Sequence, residues 1–338
     1  MLRNGSKWLF LIIGTMIGAG YASGRELWQF FGHESGLAIL LFTILFTCAV
    51  TIIMFIAYSE RTTNYAHLLE VLMGKKLANY YDVLIFFYLL STTIVMIAGS
   101  GATFEAFRIP SWIGICFIIV MIILVFIKGI NGILHINVWI LPILIIGLLT
   151  VLIKYTMDEK LVYILDWDHQ HNWHAAFTFT ALNILSIVAV IGAVGKNIES
   201  KGEIWIASIG SGMILGVISY IYNNSLIQIS EVIILYEIPL FAILKNYPTY
   251  TYIFMSILLW IAIFTTAVSG LLGISTRIQN KIEVPLWKIV SVLLLMILPL
   301  TQIRFSTLIE WIYPIYGILN LLLLTAILFY PISSKKGK

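Results

Sequence analysis

Charged side chains are scarce in this sequence. Only 11% of the 338 residues are Asp, Glu, Lys or Arg, against about a quarter in soluble proteins. Apolar residues make up 60%. This composition excludes a soluble globular enzyme and a disordered protein. The net charge of +4 is small and dispersed, which argues against a nucleic-acid-binding protein. The two cysteines lie in apolar runs without metal-ligand spacing and indicate no metal site.

Long apolar runs are what the sequence has instead. A helix needs about 20 apolar residues to cross a bilayer, and ten stretches qualify: about 7–31, 36–58, 77–107, 110–128, 132–154, 173–199, 203–223, 249–279, 286–303 and 306–331. We therefore predict an all-α polytopic membrane protein with a single transmembrane domain over residues 1–338. The first stretch is too long for a cleaved signal peptide. The segments 155–172 and 224–248 are predicted outer loops, the second with a helix that starts near Pro239.

The basic residues predict the orientation. With the N-terminus in the cytoplasm, fourteen Lys and Arg residues fall on the inner side and six on the outer side. Cytoplasmic loops are enriched in Lys and Arg, so this orientation is favoured. Because the number of spans is even, both termini are then predicted to be cytoplasmic.

A short internal repeat divides the chain into two halves. Residues 139–143 read Trp-Ile-Leu-Pro-Ile and residues 311–315 read Trp-Ile-Tyr-Pro-Ile. They lie in the fifth span of each half, about 7–154 and about 173–331. Five spans per half make the second half inverted relative to the first, which is the 5+5 architecture of many secondary transporters. A five-residue match between apolar segments also arises by chance, so the repeat supports this architecture without establishing it.

The first span is predicted to be discontinuous. Four glycines, at 14, 18, 20 and 24, occur within eleven residues, and each costs about 1 kcal/mol in a helix relative to alanine. Freed backbone groups need a partner other than lipid, so we predict a substrate or ion pathway here. Close helix packing through Gly14 and Gly18 is the alternative. The predicted substrate-binding residues of this span are Gly18, Ala19, Gly20, Tyr21, Ser23 and Gly24.

Two charged residues follow the glycines directly. Arg25 and Glu26 are expensive at this depth unless they face a cavity or each other, and we predict that they act as an outer gate or as charge partners. In an inverted repeat the sixth span should also be broken. We predict that break between Asn183 and Ser186, both substrate-binding candidates, although no glycine lies there; a lower break at Gly192 or Gly195, near the cytoplasmic end, is the alternative. The polar middle of span three adds Thr92 and Met96.

The stretch from Gly14 to Leu27 carries a family resemblance. An Ile-Gly-Ala-Gly segment in the first of ten spans resembles the amino acid–polyamine–organocation (APC) superfamily with the LeuT-type fold, and the longer Gly-Thr-Met-Ile-Gly-Ala-Gly-Tyr-Ala-Ser-Gly-Arg-Glu-Leu stretch looks like the YkvI family of bacterial membrane proteins. The resemblance implies a ten-helix fold with helices 1 and 6 discontinuous, located in the bacterial cytoplasmic membrane. The motif says nothing about the substrate.

Sodium-coupled members of this fold hold Na⁺ between carbonyls of span one and an Ala-x-x-Thr-Ser/Thr motif of span eight. The resemblance therefore implies a Na⁺ site whose ligands come from Gly14, Ile17, Ala262, Thr265 and Thr266. Oxygen ligands of this kind suit a hard cation. The alternative is that both threonines bond only to their own helix. Proton-coupled relatives place a lysine in span five, and residues 132–153 contain none.

The function expected from these features is secondary active transport. The substrate implied by the resemblance is a small organic solute, an amino acid or related amine, moved by alternating access with Na⁺ as coupling ion and without another cofactor. The alternative is a ligand-sensing receptor of the same fold, as in spore germination. No catalytic motif such as HExxH or Gly-x-Ser-x-Gly with a mid-span His occurs, so an enzyme is not expected. The expected partners are the substrate and the lipid bilayer, and nucleic acid is not among them.

Overall fold

A computed structural model describes residues 2–128, 131–159, 170–279, 282 and 284–333. Within these ranges the chain forms α-helices and short 3-10 turns and has no strand. Seven described segments are long and apolar enough to cross a membrane: Gly36–Ser59, Tyr65–Glu105, Ser111–Lys128, His171–Asn197, Lys201–Gln228, Thr249–Gln279 and Phe305–Pro331. The prediction of an all-α, multi-pass membrane protein is confirmed.

The glycine-rich first span forms three short helices, α1 (Leu2–Met16), α2 (Ala19–Ala22) and α3 (Arg25–Phe30). Gly18 separates α1 from α2 with an extended backbone, φ −82° and ψ −175°. Gly24 separates α2 from α3 with φ +80°, a conformation that only glycine adopts without strain. The chain therefore changes direction twice within the span.

The described residues in the rest of the first half form four α-helices. These are α4 (Gly36–Ser59), α5 (Tyr65–Glu105), α6 (Ser111–Lys128) and α7 (Asn131–Glu159). Gly74, with φ +78°, interrupts α5, so residues 75–105 form the long helix that corresponds to the predicted third span. Helix α7 continues into the predicted loop 155–172, whose residues 160–169 lie outside the described ranges.

In the second half, residues 170–279, 282 and 284–333 form seven α-helices. They are α8 (Ala175–Val194), α9 (Lys201–Gln228), α10 (Pro239–Leu244), α11 (Thr249–Gln279), α12 (Leu286–Ile297), α13 (Phe305–Leu319) and α14 (Leu321–Ser333). Helix α10 starts at Pro239, as predicted. Asn320 divides the predicted tenth span into α13 and α14.

The predicted break between Asn183 and Ser186 is wrong. Helix α8 is continuous from Ala175 to Val194, and a 3-10 turn begins only at Gly195. The physical reason is local, because residues 180–186 contain no glycine or proline and nothing there interrupts the backbone hydrogen bonds. The polar side chains of this segment stay on a regular helix.

Small residues bring the central helices close together. A Cβ on Gly212 of α9 would stand 1.9 Å from Thr47 Oγ1 of α4, and a Cβ on Gly216 would stand 2.2 Å from Thr43 Oγ1. Glycines four residues apart thus pack on threonines four residues apart, the small-xxx-small contact of membrane helices. Helix α9 also packs against α1 and α7, while α8 packs against α4, α5 and α13.

Gly24 offers a test of this backbone. Its φ is +80° and an added Cβ would lie 2.7 Å from the Tyr222 hydroxyl, whereas Gly32 has φ +53° and meets nothing nearer than Trp28 O at 3.4 Å. A left-handed alanine costs roughly 1–2 kcal/mol at either position, and overpacking adds about 1–3 kcal/mol at Gly24 alone. We expect Gly24→Ala to lower the melting temperature in detergent at least about twice as much as Gly32→Ala. Equal losses would mean that Tyr222 does not pack against Gly24.

Candidate functional site

The first break changes the backbone hydrogen bonds. The amide of Gly18 donates to Met16 O at 2.9 Å, and the amide of Ile17 to Ile13 O at 2.7 Å. The regular pattern, in which the Gly18 amide would bond Gly14 O, therefore stops here. A Cβ on Gly18 would meet no atom within 4 Å, so Gly18 faces open space. The break thus combines a released carbonyl with room for a ligand.

Glu26 is a buried carboxylate beside this break. It is 5% exposed, and its Oε1 accepts a hydrogen bond from Asn183 Nδ2 of α8 at 3.3 Å. A Cβ on Gly20 would lie 2.7 Å from Glu26 Oε2 and 3.3 Å from the Tyr313 hydroxyl. Among the described residues no Lys, Arg or His forms an ion pair with Glu26. A negative charge on Glu26 would be stabilised by a hydrogen bond from one neutral amide, that of Asn183.

Polar side chains from three helices continue from Asn183. Ser186, one turn further along α8, is 2.9 Å from the hydroxyl of Tyr88 on α5. The ring of Tyr88 meets that of Tyr316 on α13 edge to face, with centroids 5.2 Å apart. The Tyr316 hydroxyl is 3.1 Å from Ser91 Oγ. Helices α5, α8 and α13 therefore share a polar seam within an otherwise apolar interior.

Helix α9 holds α2 from the other side. The Tyr21 hydroxyl is 2.8 Å from Ser219 Oγ, and the Tyr222 hydroxyl donates to Ala22 O at 3.0 Å. Ser23 Oγ donates to Gly20 O at 2.8 Å and accepts from the amide of Arg25. These bonds satisfy backbone groups that the two breaks release, so α2 is fixed although it has only four residues.

Arg25 points away from Glu26. Its guanidinium donates to Tyr236 O and to Glu237 O, in what we call the outer segment, residues 236–240. Glu237 pairs with Arg304 at 2.7 Å and accepts from the amide of Ser306 at 2.8 Å. The outer segment therefore ties the first span to the start of α13. The two adjacent charges do not pair with each other.

The residues of the implied Na⁺ site lie on α1 (Gly14), in the break that follows it (Ile17) and on α11 (Ala262, Thr265 and Thr266). Thr265 Oγ1 donates to Ile261 O or Ala262 O, at 2.9 and 3.2 Å, and Thr266 Oγ1 donates to Ala262 O at 2.8 Å. A hydroxyl that donates its proton keeps lone pairs for a cation. Helix α11 packs against α2, next to the break. This donor set suits Na⁺, and the role of these residues stays a prediction.

An ion pair joins α5 and α11 near the C-terminal end of α11. Arg277 of α11 pairs with the carboxylate of Asp82 on α5, and also donates to Asp82 O at 2.7 Å. The Tyr65 hydroxyl donates to Asp82 Oδ1 at 2.9 Å. Asp82 is partly exposed, so this cluster lies at the edge of the buried interior.

The predicted site residues fall into several groups. The break region and Asn183 meet around Glu26, and Ser186 continues from Asn183. Thr92 donates to Leu89 O on its own helix, and Met96 is buried in the core. The structure adds residues that the sequence did not single out: Tyr88, which on type alone is more often a packing residue, and Ser219, Glu237, Tyr313 and Tyr316. The two tyrosines of α13 flank Pro314 of the repeated motif, which was a signal for them.

Comparison with known proteins identifies relatives. Residues 4–165 match the profile of a family described as spore germination protein. The uncharacterized protein YyaD of Bacillus subtilis is 49% identical over 333 residues, which cover 98% of each chain. The uncharacterized membrane protein YkvI of the same organism is 26% identical over 332 residues, or 96% of this chain and 95% of YkvI.

Two solved structures share the fold. MhsT in complex with L-phenylalanine has a TM-score of 0.67 at 15% identity, covering 94% of this chain and 87% of MhsT. The manganese transporter of Eremococcus coleocola has a TM-score of 0.62 at 14% identity, with 96% and 78% covered. At these identities the similarity establishes the fold alone. The near full-length match to YyaD at 49% identity shows that the chain belongs to the family of YyaD and YkvI.

Proposed function

We propose that this protein is a secondary active transporter of a small organic solute that carries an amino group. The observation that carries the proposal is a buried carboxylate, Glu26, at a break in the first span that opens onto free space at Gly18. Within the described part of the chain Glu26 forms no ion pair, and an intramembrane ionisable residue of this kind indicates a substrate or ion site. An amino acid or related amine supplies the positive charge that Glu26 lacks. Secondary transport requires only that the solute be bound and released, so no enzymatic step is proposed.

The helix packing supports ten spans in a 5+5 inverted repeat. We count α1 to α3 as span one, α4 to α7 as spans two to five, α8 and α9 as six and seven, α11 and α12 as eight and nine, and α13 with α14 as ten. Several contacts between two spans have a counterpart five spans further on. Span 1 packs against span 7, as span 6 packs against span 2, and span 3 packs against span 6, as span 8 packs against span 1. Likewise, the contact of spans 5 and 7 corresponds to that of spans 10 and 2, and the contact of spans 5 and 8 to that of spans 10 and 3. Shifting every span by five exchanges these contacts, as a pseudo-two-fold axis would.

Alternating access requires contacts that form on one side while the other side is open. In the proposed orientation both termini face the cytoplasm of a bacterial cell, and the outer segment lies outside. Its bonds to Arg25 and to the start of α13 close the outer path to the break. The ion pair of Asp82 with Arg277 is then the inner counterpart. Rupture of one set and formation of the other would expose Glu26 to each side in turn.

Na⁺ is the proposed coupling ion. The carbonyls of Gly14, Ile17 and Ala262 and the hydroxyls of Thr265 and Thr266 would hold it where α11 packs beside the break. A bound cation there supplies positive charge close to the released carbonyls, and so stabilises the broken form of the first span. Binding of the ion would in this way prepare the substrate site.

A receptor is the second candidate function. The match of residues 4–165 to a spore germination family supports it, because such a protein could bind the same solute without moving it. The two functions separate in one measurement. A transporter accumulates a radiolabelled ligand in proteoliposomes, whereas a receptor shows ligand-dependent thermal stabilisation and no flux. The ligand for this assay comes from a thermal-shift screen with single amino acids, amines and nucleobases.

Gly18 and Gly20 test whether the open space at the first break is the substrate site. Gly18→Ala places a methyl group in open space, whereas Gly20→Ala drives it against Glu26 and Tyr313. We expect Gly18→Ala to keep the wild-type melting temperature without ligand. The amine that stabilises the wild type in the thermal-shift screen should raise the melting temperature of this variant much less. Gly20→Ala should be destabilised by about 1–3 kcal/mol. If Gly18→Ala melts as low as Gly20→Ala, or retains full ligand stabilisation, the space at Gly18 is not the substrate site.

The Na⁺ site is tested with two threonines of α11. Thr265→Val keeps the side-chain shape and removes the hydroxyl next to the break. Thr276→Val is the matched control, because its hydroxyl also donates to its own helix, at 2.7 Å to Leu272 O, but outside the proposed site. We expect wild type and Thr276→Val to be more stable in NaCl than in KCl, and Thr265→Val to lose this difference. Equal stability of wild type in both salts would contradict Na⁺ coupling.

The outer segment is tested by the accessibility of the break. Glu237→Gln weakens the pair with Arg304, which is largely exposed and worth about 1 kcal/mol or less. We expect about threefold faster labelling of Ser23→Cys by an impermeant maleimide. Glu231→Gln, an exposed glutamate of the same loop, is the control and should leave the labelling rate unchanged. The same rate in both variants would mean that Glu237 does not close the outer path.

A further inference from the structure

Glu26 has surroundings that do not support a permanent charge. The groups that face it are neutral: Asn183 from α8, Tyr21 from α2, Tyr88 from α5 and Tyr313 from α13. Its neighbour Arg25 donates to the outer segment instead. An isolated carboxylate in such a site is strongly destabilised, and the usual remedy is to bind a proton whenever no cationic ligand is present.

A polar path leads from Glu26 toward the end of the bundle that holds Asp82. Asn183, which bonds Glu26, lies one turn from Ser186, and Ser186 is hydrogen-bonded to Tyr88. Tyr88 contacts Tyr316, and Tyr316 of α13 lies four residues before Asn320, the residue that ends this helix. Each step is a hydrogen bond, a ring contact or a single helical turn. We call these side chains, together with Tyr81, the polar ladder.

Asn320 is the unusual member of the ladder. It is 0% exposed, and neither Nδ2 nor Oδ1 has a hydrogen-bond partner among the described residues. Leaving a buried amide unpaired costs more than its replacement by an apolar side chain would. Polar groups of this kind in protein interiors are commonly satisfied by bound water. Water at Asn320 would extend the ladder by one hydrogen-bonded step.

Tyr81 extends the ladder along α5. It lies two turns before Tyr88, and its hydroxyl donates to Leu319 O at 3.0 Å and accepts from the amide of Leu323 at 3.2 Å. The hydroxyl thus stands inside the helical hydrogen-bond pattern at the α13–α14 junction, which contains Asn320. The residue that follows Tyr81 on α5 is Asp82, which is partly exposed. The ladder therefore runs from a buried carboxyl group to the part of α5 that carries a partly exposed carboxylate.

From this arrangement we propose that Glu26 carries a proton when no amine is bound, and that it exchanges this proton with the Asp82 side through the polar ladder and water at Asn320. On release, the O–H bond of the Glu26 carboxyl group breaks, a water molecule bound beside it accepts the proton, and the polar ladder passes one proton on to the Asp82 side. The freed carboxylate then receives the ammonium group. The use of the amine site rests on the proposed function, and the exchange of the proton does not.

The test follows the proton of Glu26 directly by infrared spectroscopy of the purified full-length protein in lipid, without substrate. A protonated carboxyl group gives a separate C=O stretching band, which shifts when H₂O is replaced by D₂O. Glu203 is another buried carboxyl group, so the band of Glu26 is identified as the part that Glu26→Gln removes. The rate of its shift measures access of exchangeable protons to Glu26.

Two ladder variants and one matched control decide the outcome. We expect Asn320→Leu and Tyr81→Phe each to slow the shift about tenfold, the factor that a lost hydrogen bond supplies. Tyr247→Phe also removes a hydroxyl that donates to a backbone carbonyl, at 2.8 Å to Val151 O, but outside the ladder; it should exchange at the wild-type rate. Correct folding of each variant is checked by its melting temperature.

Three results would overturn the proposal. The first is that Glu26→Gln removes no carboxyl band at any pH at which the protein stays folded. The second is an unchanged rate in both Asn320→Leu and Tyr81→Phe. The third is equal slowing by Tyr247→Phe, which would attribute the effect to general loosening. A failed transport assay with an intact exchange result would remove the proposed function and leave the proton path in place.

Discussion

The burial of Glu26 against Asn183 is the constraint on which the rest of the structure depends. A carboxyl group can reach Asn183 only because the first span is broken on either side of α2 and because Gly20 has no side chain to block Glu26 Oε2. Both breaks release backbone groups, and the membrane offers no water for them. The hydroxyls of Tyr222 and Ser23 bond carbonyls of this segment. One buried acid thus determines a whole set of polar contacts.

Arg25 and Glu26 connect α3 to two different parts of the molecule. The residues are adjacent, yet the turn at Gly24 sends the guanidinium to the outer segment and the carboxylate to α8. A movement of α3 would therefore act on the outer contacts and on the buried acid together. Because α3 carries both Arg25 and Glu26, its movement would couple the contacts of the outer segment to the state of the buried carboxyl group.

The sequence was a good guide where composition acts locally. Clustered glycines predicted that the region from Gly14 to Gly24 departs from a regular helix, and the scarcity of charge made Glu26 conspicuous. Asn183 was found because it is a polar residue in the middle of an apolar span. The predicted break in span six was wrong because the prediction came from repeat symmetry, whereas backbone geometry follows the local residues. Tyr88 could not be selected from sequence, because 14% of the chain is aromatic and only the fold decides which hydroxyls meet.

Asn320 illustrates how function can be separated from stability in such a chain. Asn320 lies at the junction of α13 and α14 and is buried without a side-chain hydrogen-bond partner among the described residues. A buried amide without a partner costs more than an apolar side chain in its place would. Proteins keep an unfavourable buried polar group mainly where it acts. Asn320 directly follows Leu319, whose carbonyl accepts the hydrogen bond of the Tyr81 hydroxyl. The unpaired amide and the buried acid are two unfavourable features, and the proposed proton exchange gives both a role that packing alone does not.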